Sequence, residues 1–424
     1  MPGDCRVTSN ILWVMVACLL SGIGAASIMA VWTELLLLRA CESRHLPYPS
    51  QACDQSEAAQ SEATYRQTYM GLAQSIPAAL TVGMVSSIAD SRGRRLAMIL
   101  SFVSTLIFCS AVFLVPDRVF GLDGYWLIIV VTAVCSFTGG QTATFSSAMS
   151  VIADVSVDWT AVQRTNLFML LEAALWGGGI IGPVLGGAVA KAGSARWGAQ
   201  TGLRNTFLFA VILIVLGIAL LLCCYKETLR PVDRQPFSWA RANPVSAMFP
   251  LFSHPVMRRF AFMFATAGVG QNGFFFVTNL YLVRVADFTL MELSWFATIG
   301  TATTVAGLLL ALPLLQRCLS TKALINFSVL DSAVQLLLLG VLALPVWWKI
   351  SGQDGGSGDG SDGSATTLGN SGNYLRTLGP YIANGMGFGQ AICMPCIRST
   401  VAVLCATGEV RATTRTEGIA SLCS

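Results

Sequence analysis

Ten apolar runs, each near the roughly 20 residues that cross a bilayer core, leave this chain little choice but a bundle of membrane-spanning helices. They lie near 11 to 35, 69 to 88, 96 to 114, 125 to 147, 165 to 190, 205 to 225, 260 to 283, 295 to 315, 323 to 347 and 377 to 397. Hydrophobic residues make up 54% of the 424 positions and charged residues 11%, against about a quarter charged in a soluble domain. The expected class is an all-α polytopic membrane protein. Only ten residues precede the first run, which is long enough to stay in the bilayer and is not read as a cleaved signal. The net charge of +4 reflects how basic residues are shared among the loops, and it points to no nucleic-acid partner.

Between the second and third runs stands Ile88-Ala89-Asp90-Ser91-Arg92-Gly93-Arg94-Arg95. So short a connection forces an antiparallel helix pair. Gly93 can take the positive φ of a tight turn, and Asp90 can face the guanidinium groups of Arg92, Arg94 and Arg95. With the N-terminus inside, more than half of the 26 Lys and Arg fall on the hinge side, so a cytoplasmic hinge is expected. Cys41 and Cys53 then share one polar loop on the outer side, where a disulfide can form. Residues 226–259 form a polar, basic, proline-containing connector, and 351–373 read as a flexible Gly/Ser/Asp-rich external loop.

The spacing Asp90-x-x-Gly93-Arg94-Arg95 after a second span resembles the loop signature of the major facilitator superfamily of solute transporters, with Ser86 where the signature begins with glycine. That resemblance implies two pseudo-repeated helical halves around a central cavity, here 1–225 and 260–424. Lys226-Glu227-Thr228-Leu229 is similar to the sequence that closes the sixth helix in the superfamily, and Gln163-Arg164-Thr165 has a late echo in Thr414-Arg415-Thr416. The echo marks the entry to an eleventh helix, so the second half is expected to be incomplete: about ten complete spans plus the start of an eleventh.

In the fifth run, Gly178, Gly182 and Gly186 recur every fourth residue, with Pro183 and Gly187 beside them. They make a helix-packing ridge that admits a neighbouring backbone, and Pro183 is expected to bend the helix. Glu172 lies six residues earlier, about 240° around the helix from Gly178 at about 100° per residue, and is expected to face the cavity. A carboxylate within a span is hydrated, paired or protonated, so Glu172 is the candidate proton-coupling group. Gln141, Gln271, Asn272, Asn384 and Gln390 are candidates to line a solute cavity, being amides on runs that line it in the superfamily. Asp331 reads as a helix-packing group and Glu34 as a side chain reaching the outer interface.

His45 and His254 fall in loops, leaving no histidine to relay protons within a span. No phosphate-binding GxxxxGK[ST] is present, which argues against nucleotide hydrolysis. Cys393-Met394-Pro395-Cys396 lacks the partners of a metal site, so no metal, cofactor or catalytic residue is expected. A nearer resemblance is to the branch of the proton-coupled folate transporter and thymic stromal cotransporter, with fungal-type general transporters. It rests on Thr33-Glu34-Leu35, Cys41, Ile152-Ala153-Asp154 and Leu171-Glu172-Ala173. The reading is secondary active transport of a small organic solute, proton-coupled, in the plasma membrane or a vacuolar or lysosomal membrane. The alternative is a non-transporting membrane receptor or an inactive truncated transporter.

Overall fold

The computed structural model describes residues 5–243 almost without a break and 288–319, with scattered positions between 252 and 338. The expected spans near 260–283, 323–347 and 377–397, and Thr414-Arg415-Thr416, lie wholly or largely outside the described residues.

Eight principal helices precede the connector. Helix α1 runs Cys5–Ser43, α2 Gln51–Asp54, α3 Glu57–Arg92 and α4 Arg94–Leu114. A two-residue antiparallel pairing of Arg118–Val119 with Leu122–Asp123 leads to α5 Gly124–Ser136 and α6 Gly140–Val155. Helices α7 Ala161–Trp197 and α8 Ala199–Cys223 follow. Beyond the short α9, Trp239–Ala242, comes α10 Leu290–Ala306, a π-helical turn Gly307–Ala311 and α11 Leu312–Cys318. Six of the described helical stretches are long and apolar enough to cross a membrane. The two ends of the bundle are called here the hinge end, at Gly93, and the disulfide end.

Local chemistry sets the helix limits. The Ser56 side chain caps α3 by accepting from the Ala59 N–H at 3.3 Å, and Thr160 with Gln163 forms a reciprocal capping box on α7. At 36 residues, α3 is about 54 Å long at 1.5 Å per residue. It outruns a core of about 30 Å, so its first turns project past the bilayer at the disulfide end. The wide turn at Gly307–Ala311 stands just before Pro313, whose ring would clash with the carbonyl four residues back in a regular α-helix.

The fourth run is not one helix. It breaks between Ser136 and Gly140, where Gly139 has φ 88° and Gly140 φ 53°. A Cβ on Gly139 would lie 2.6 Å from the Ala143 methyl, so a left-handed residue without a side chain is required there. The carbonyl of Cys135, freed by the break, accepts the Ser104 hydroxyl at 3.0 Å and that of Thr138 at 2.8 Å. The adjacent glycines, readable in the sequence, carried this signal.

Helix α1 is the hub, packing on α7, α8 and α3. Trp32 of α1, Phe108 of α4 and Phe207 of α8 meet edge to face, with ring centroids 5.8, 6.0 and 6.3 Å apart.

Candidate functional site

At the hinge end the chain reverses on one residue. Gly93 has φ 114°, and its N–H caps α3 on the Ala89 carbonyl at 3.1 Å. Any side chain there would run into the Glu227 carboxylate. Glu227 follows α8 and takes the first two N–H groups of α4, from Arg94 and Arg95, each at 3.0 Å. It also accepts from the N–H of Thr228 and Leu229, each at 3.1 Å. An anion at a helix N-terminus is favoured by the dipole as well as by these bonds.

Asp90 does not face three arginines. Among the described residues it pairs with Arg94, at 2.5 Å, and the same guanidinium donates through Nε to Asp154 at 3.0 Å. Arg94 is 5% exposed, and its ions tie α3, α4 and α6 together. The Arg95 guanidinium turns instead to the Leu222 carbonyl of α8. Nearby, burial pushes the Tyr225 phenol above its ordinary pKa, so it stays neutral and bonds Thr228 at 3.1 Å. Asp154 and Glu227 belong to motifs visible in the sequence, but their partners are 60 and 133 positions away.

The fifth-run glycines divide between two neighbours. Gly178, Gly182 and Gly186 face α1, where a Cβ on Gly182 would lie 2.7 Å from the Ile23 carbonyl. Gly187 faces α10, 2.7 Å from Ser294 Oγ by the same measure, together with Gly179, 2.8 Å from Thr301. Gly179, unremarked in the sequence, is the eight-residue counterpart of Gly187. Thr298 completes this second seam by donating to the Ile180 carbonyl at 3.0 Å. Pro183 does not interrupt α7, which is continuous.

Glu172 lies on α7 about 16 Å from its start and is 2% exposed. The carboxylate expected to open on a hydrated cavity is enclosed by protein instead. Glu34 is likewise buried, 9% exposed, and accepts the hydroxyl of Tyr48 in the loop at the disulfide end at 2.5 Å. Gln141 stands in the first turn of α6. Gln271, Asn272, Asn384 and Gln390 lie outside the described residues, as do Cys393 and Cys396.

The disulfide end carries its own charges. Cys41, in the last turn of α1, is bonded to Cys53 of α2, with Cα atoms 5.7 Å apart. Asp117 accepts from Arg204 of α8 at 2.6 Å and pairs with Arg39 of α1 at 3.1 Å. Arg66 of α3 joins Glu62 at 2.6 Å and Asp123 at 2.8 Å. Two shallow cavities of about 340 and 500 Å³ lie here, the first beside Tyr48 and Trp197, the second beside Tyr65 and Trp126. Among the described residues, no group of three or more His, Cys, Asp or Glu is placed to hold a metal ion.

A family profile described as Major Facilitator Superfamily matches residues 58–414 of the chain. Among curated protein sequences none matches significantly. In fold the chain is similar to the human organic anion transporter MFSD10 (TETRAN), with a TM-score of 0.54, 13% identity and coverage of 97% of this chain and 95% of that one. It is similar also to the inward open xylose transporter XylE from E. coli, with a TM-score of 0.57, 15% identity and coverage of 96% and 87%. A D-xylose-proton symporter scores 0.51 at 14% identity, over 96% of this chain and 89% of that one.

Proposed function

The chain belongs to the major facilitator superfamily, which makes it a multi-pass membrane transporter and not an enzyme, and we propose that it moves a small organic solute by proton-coupled alternating access. In this reading residues 1–225 and 260–424 are two halves joined by 226–259, with the hinge end and the N-terminus in the cytoplasm. The branch resemblance carried by Thr33-Glu34-Leu35 and Leu171-Glu172-Ala173 favours the plasma membrane or a vacuolar or lysosomal membrane.

The observation that carries the reading is the double glycine seam of α7. Against α1 the ridge Gly178, Gly182 and Gly186 allows backbone contact, which binds α7 firmly into the first half. Against α10 the seam is Gly179 and Gly187 on Ser294 and Thr301. Small side chains meeting bare backbone can slide without withdrawing large interlocked groups, whereas a packed core of large residues resists any displacement. The α7–α10 contact is therefore suited to the rocking of one half on the other. Asp90, Gly93, Arg94 and Arg95 form the cytoplasmic gate motif of that motion.

Glu172 is the proton site of this cycle. Enclosed in the present conformation, it exchanges its proton when rocking opens one side to water, since a carboxylate within a span serves proton transfer where water or a partner reaches it. The amides Gln141, Gln271, Asn272, Asn384 and Gln390 supply hydrogen bonds to the solute. In proteoliposomes under an imposed pH gradient, with a panel of labelled sugars and organic anions, wild type is expected to concentrate one of them. Glu172→Gln is expected to lose gradient-driven uptake while keeping solute exchange. Gradient-driven uptake by Glu172→Gln at the wild-type rate removes Glu172 from coupling.

A further inference from the structure

The segment that follows α8 is pinned flat across the hinge end. Its Lys226 N–H donates to Asn10 Oδ1 of α1 at 3.2 Å, Glu227 caps α4, and the Gln235 N–H donates to the Asp90 carbonyl at the end of α3 at 3.1 Å. Leu229 and Ala242 are buried, which anchors the chain further. A segment tied to the hinge-side ends of four helices lies at the level where the apolar spans meet water, which is the depth of the lipid headgroups.

What it presents to its surroundings is both aromatic and cationic. Trp239 is 75% exposed and Val232 93% exposed, and Phe237 stands edge to face with Trp239 at 5.1 Å. Lys226, Arg230 and Arg234 are exposed as well, whereas the carboxylate of Glu227 is taken up by backbone N–H groups. A large indole left open next to exposed cations, at headgroup depth, is matched in shape and charge by an anionic lipid surface.

We infer that this segment, residues 226–243, is a docking strip for acidic phospholipid headgroups of the leaflet at the hinge end, with Trp239 inserted at the interface and Arg230 and Arg234 on the phosphates. The inference rests on the reading that the hinge end is cytoplasmic, since that leaflet carries the anionic lipids. Because the Gln235 N–H is bonded to the Asp90 backbone carbonyl, lipid held on the strip is fixed to the end of α3 next to the Asp90–Arg94–Asp154 cluster.

The test uses the full chain in nanodiscs of phosphatidylcholine, alone or mixed with phosphatidylserine, both doped with a lipid brominated on its acyl chains. Subtracting the emission of Trp239→Phe from that of wild type isolates Trp239. Its emission is expected to be blue-shifted and quenched when phosphatidylserine is present, and to relax toward the aqueous value in high salt. The double variant Arg230→Gln/Arg234→Gln is expected to weaken the dependence on phosphatidylserine by about 25-fold, at about fivefold for each basic residue near the surface. Trp239 emission that is unquenched in both membranes, equal in both, or unchanged by the double variant overturns the inference; a soluble partner on the strip gives the first of these. None of these readouts requires transport, so a failure here is distinct from a failure of the proposed solute flux.

Discussion

The two ends of the bundle solve the same problem of holding helix ends together with opposite charge arrangements. At the hinge end one guanidinium, Arg94, stands between two carboxylates, Asp90 and Asp154, and is itself buried. At the disulfide end one carboxylate, Asp117, stands between two guanidiniums, Arg39 and Arg204, and is 44% exposed. The disulfide end has a covalent bond in addition, and the hinge end has none among the described residues. The difference assigns the ends different roles. Both ends bury a cation, Arg39 at 6% exposure and Arg94 at 5%, but Asp117 is open to water, which weakens its pairs and leaves more of the disulfide end to the cystine, whereas Asp90 and Asp154 are largely shielded.

The largest expected effect tests that shielding. Arg94→Ala leaves Asp90 and Asp154, each about a fifth exposed, without their shared buried cation, and the loss expected is roughly 3–5 kcal/mol, read as a fall in the unfolding midpoint of purified protein in detergent. A loss below about 1 kcal/mol, the range of an exposed pair, would place Arg94 on a par with the disulfide-end arginines and dissolve the contrast. Next in size is the cystine. Cys41→Ser with Cys53→Ser opens a loop whose ends are 12 positions apart, and about 3 kcal/mol is expected from the restored freedom of the unfolded chain. The same fall should follow treatment of wild type with reductant, and a variant indifferent to both would leave the disulfide end resting on its charges. Smallest is Arg204→Ala, where about 1 kcal/mol or less is expected because Asp117 keeps Arg39 and water. Measured with Arg94→Ala in one series and at two salt concentrations, Arg204→Ala should show the greater salt sensitivity.

The candidate site was only partly legible beforehand. Asp90, Gly93 and Arg94 stand within five positions, so their meeting follows from one tight turn. Helix periodicity likewise put Gly178, Gly182 and Gly186 on one line, because a residue four positions on lies on the same face. Nothing local, however, says that Gly187 and Gly179 meet a different helix from their neighbours, nor that Glu172 and Glu34 are enclosed. Periodicity assigns a face but not what covers it.

The chain by itself determined that it spans a membrane repeatedly, that it reverses at Gly93 and that its fifth run is smooth enough for close packing. These follow from hydrophobic length, from a φ that only glycine adopts readily and from the repeat of the helix. Only the tertiary structure decided that Arg94 would choose Asp154, that Glu227 would cap a helix 132 positions before it, and that Tyr48 would cover Glu34. Such pairings depend on which helix ends arrive side by side once the bundle has packed, and the energies that select them are not encoded within any one segment.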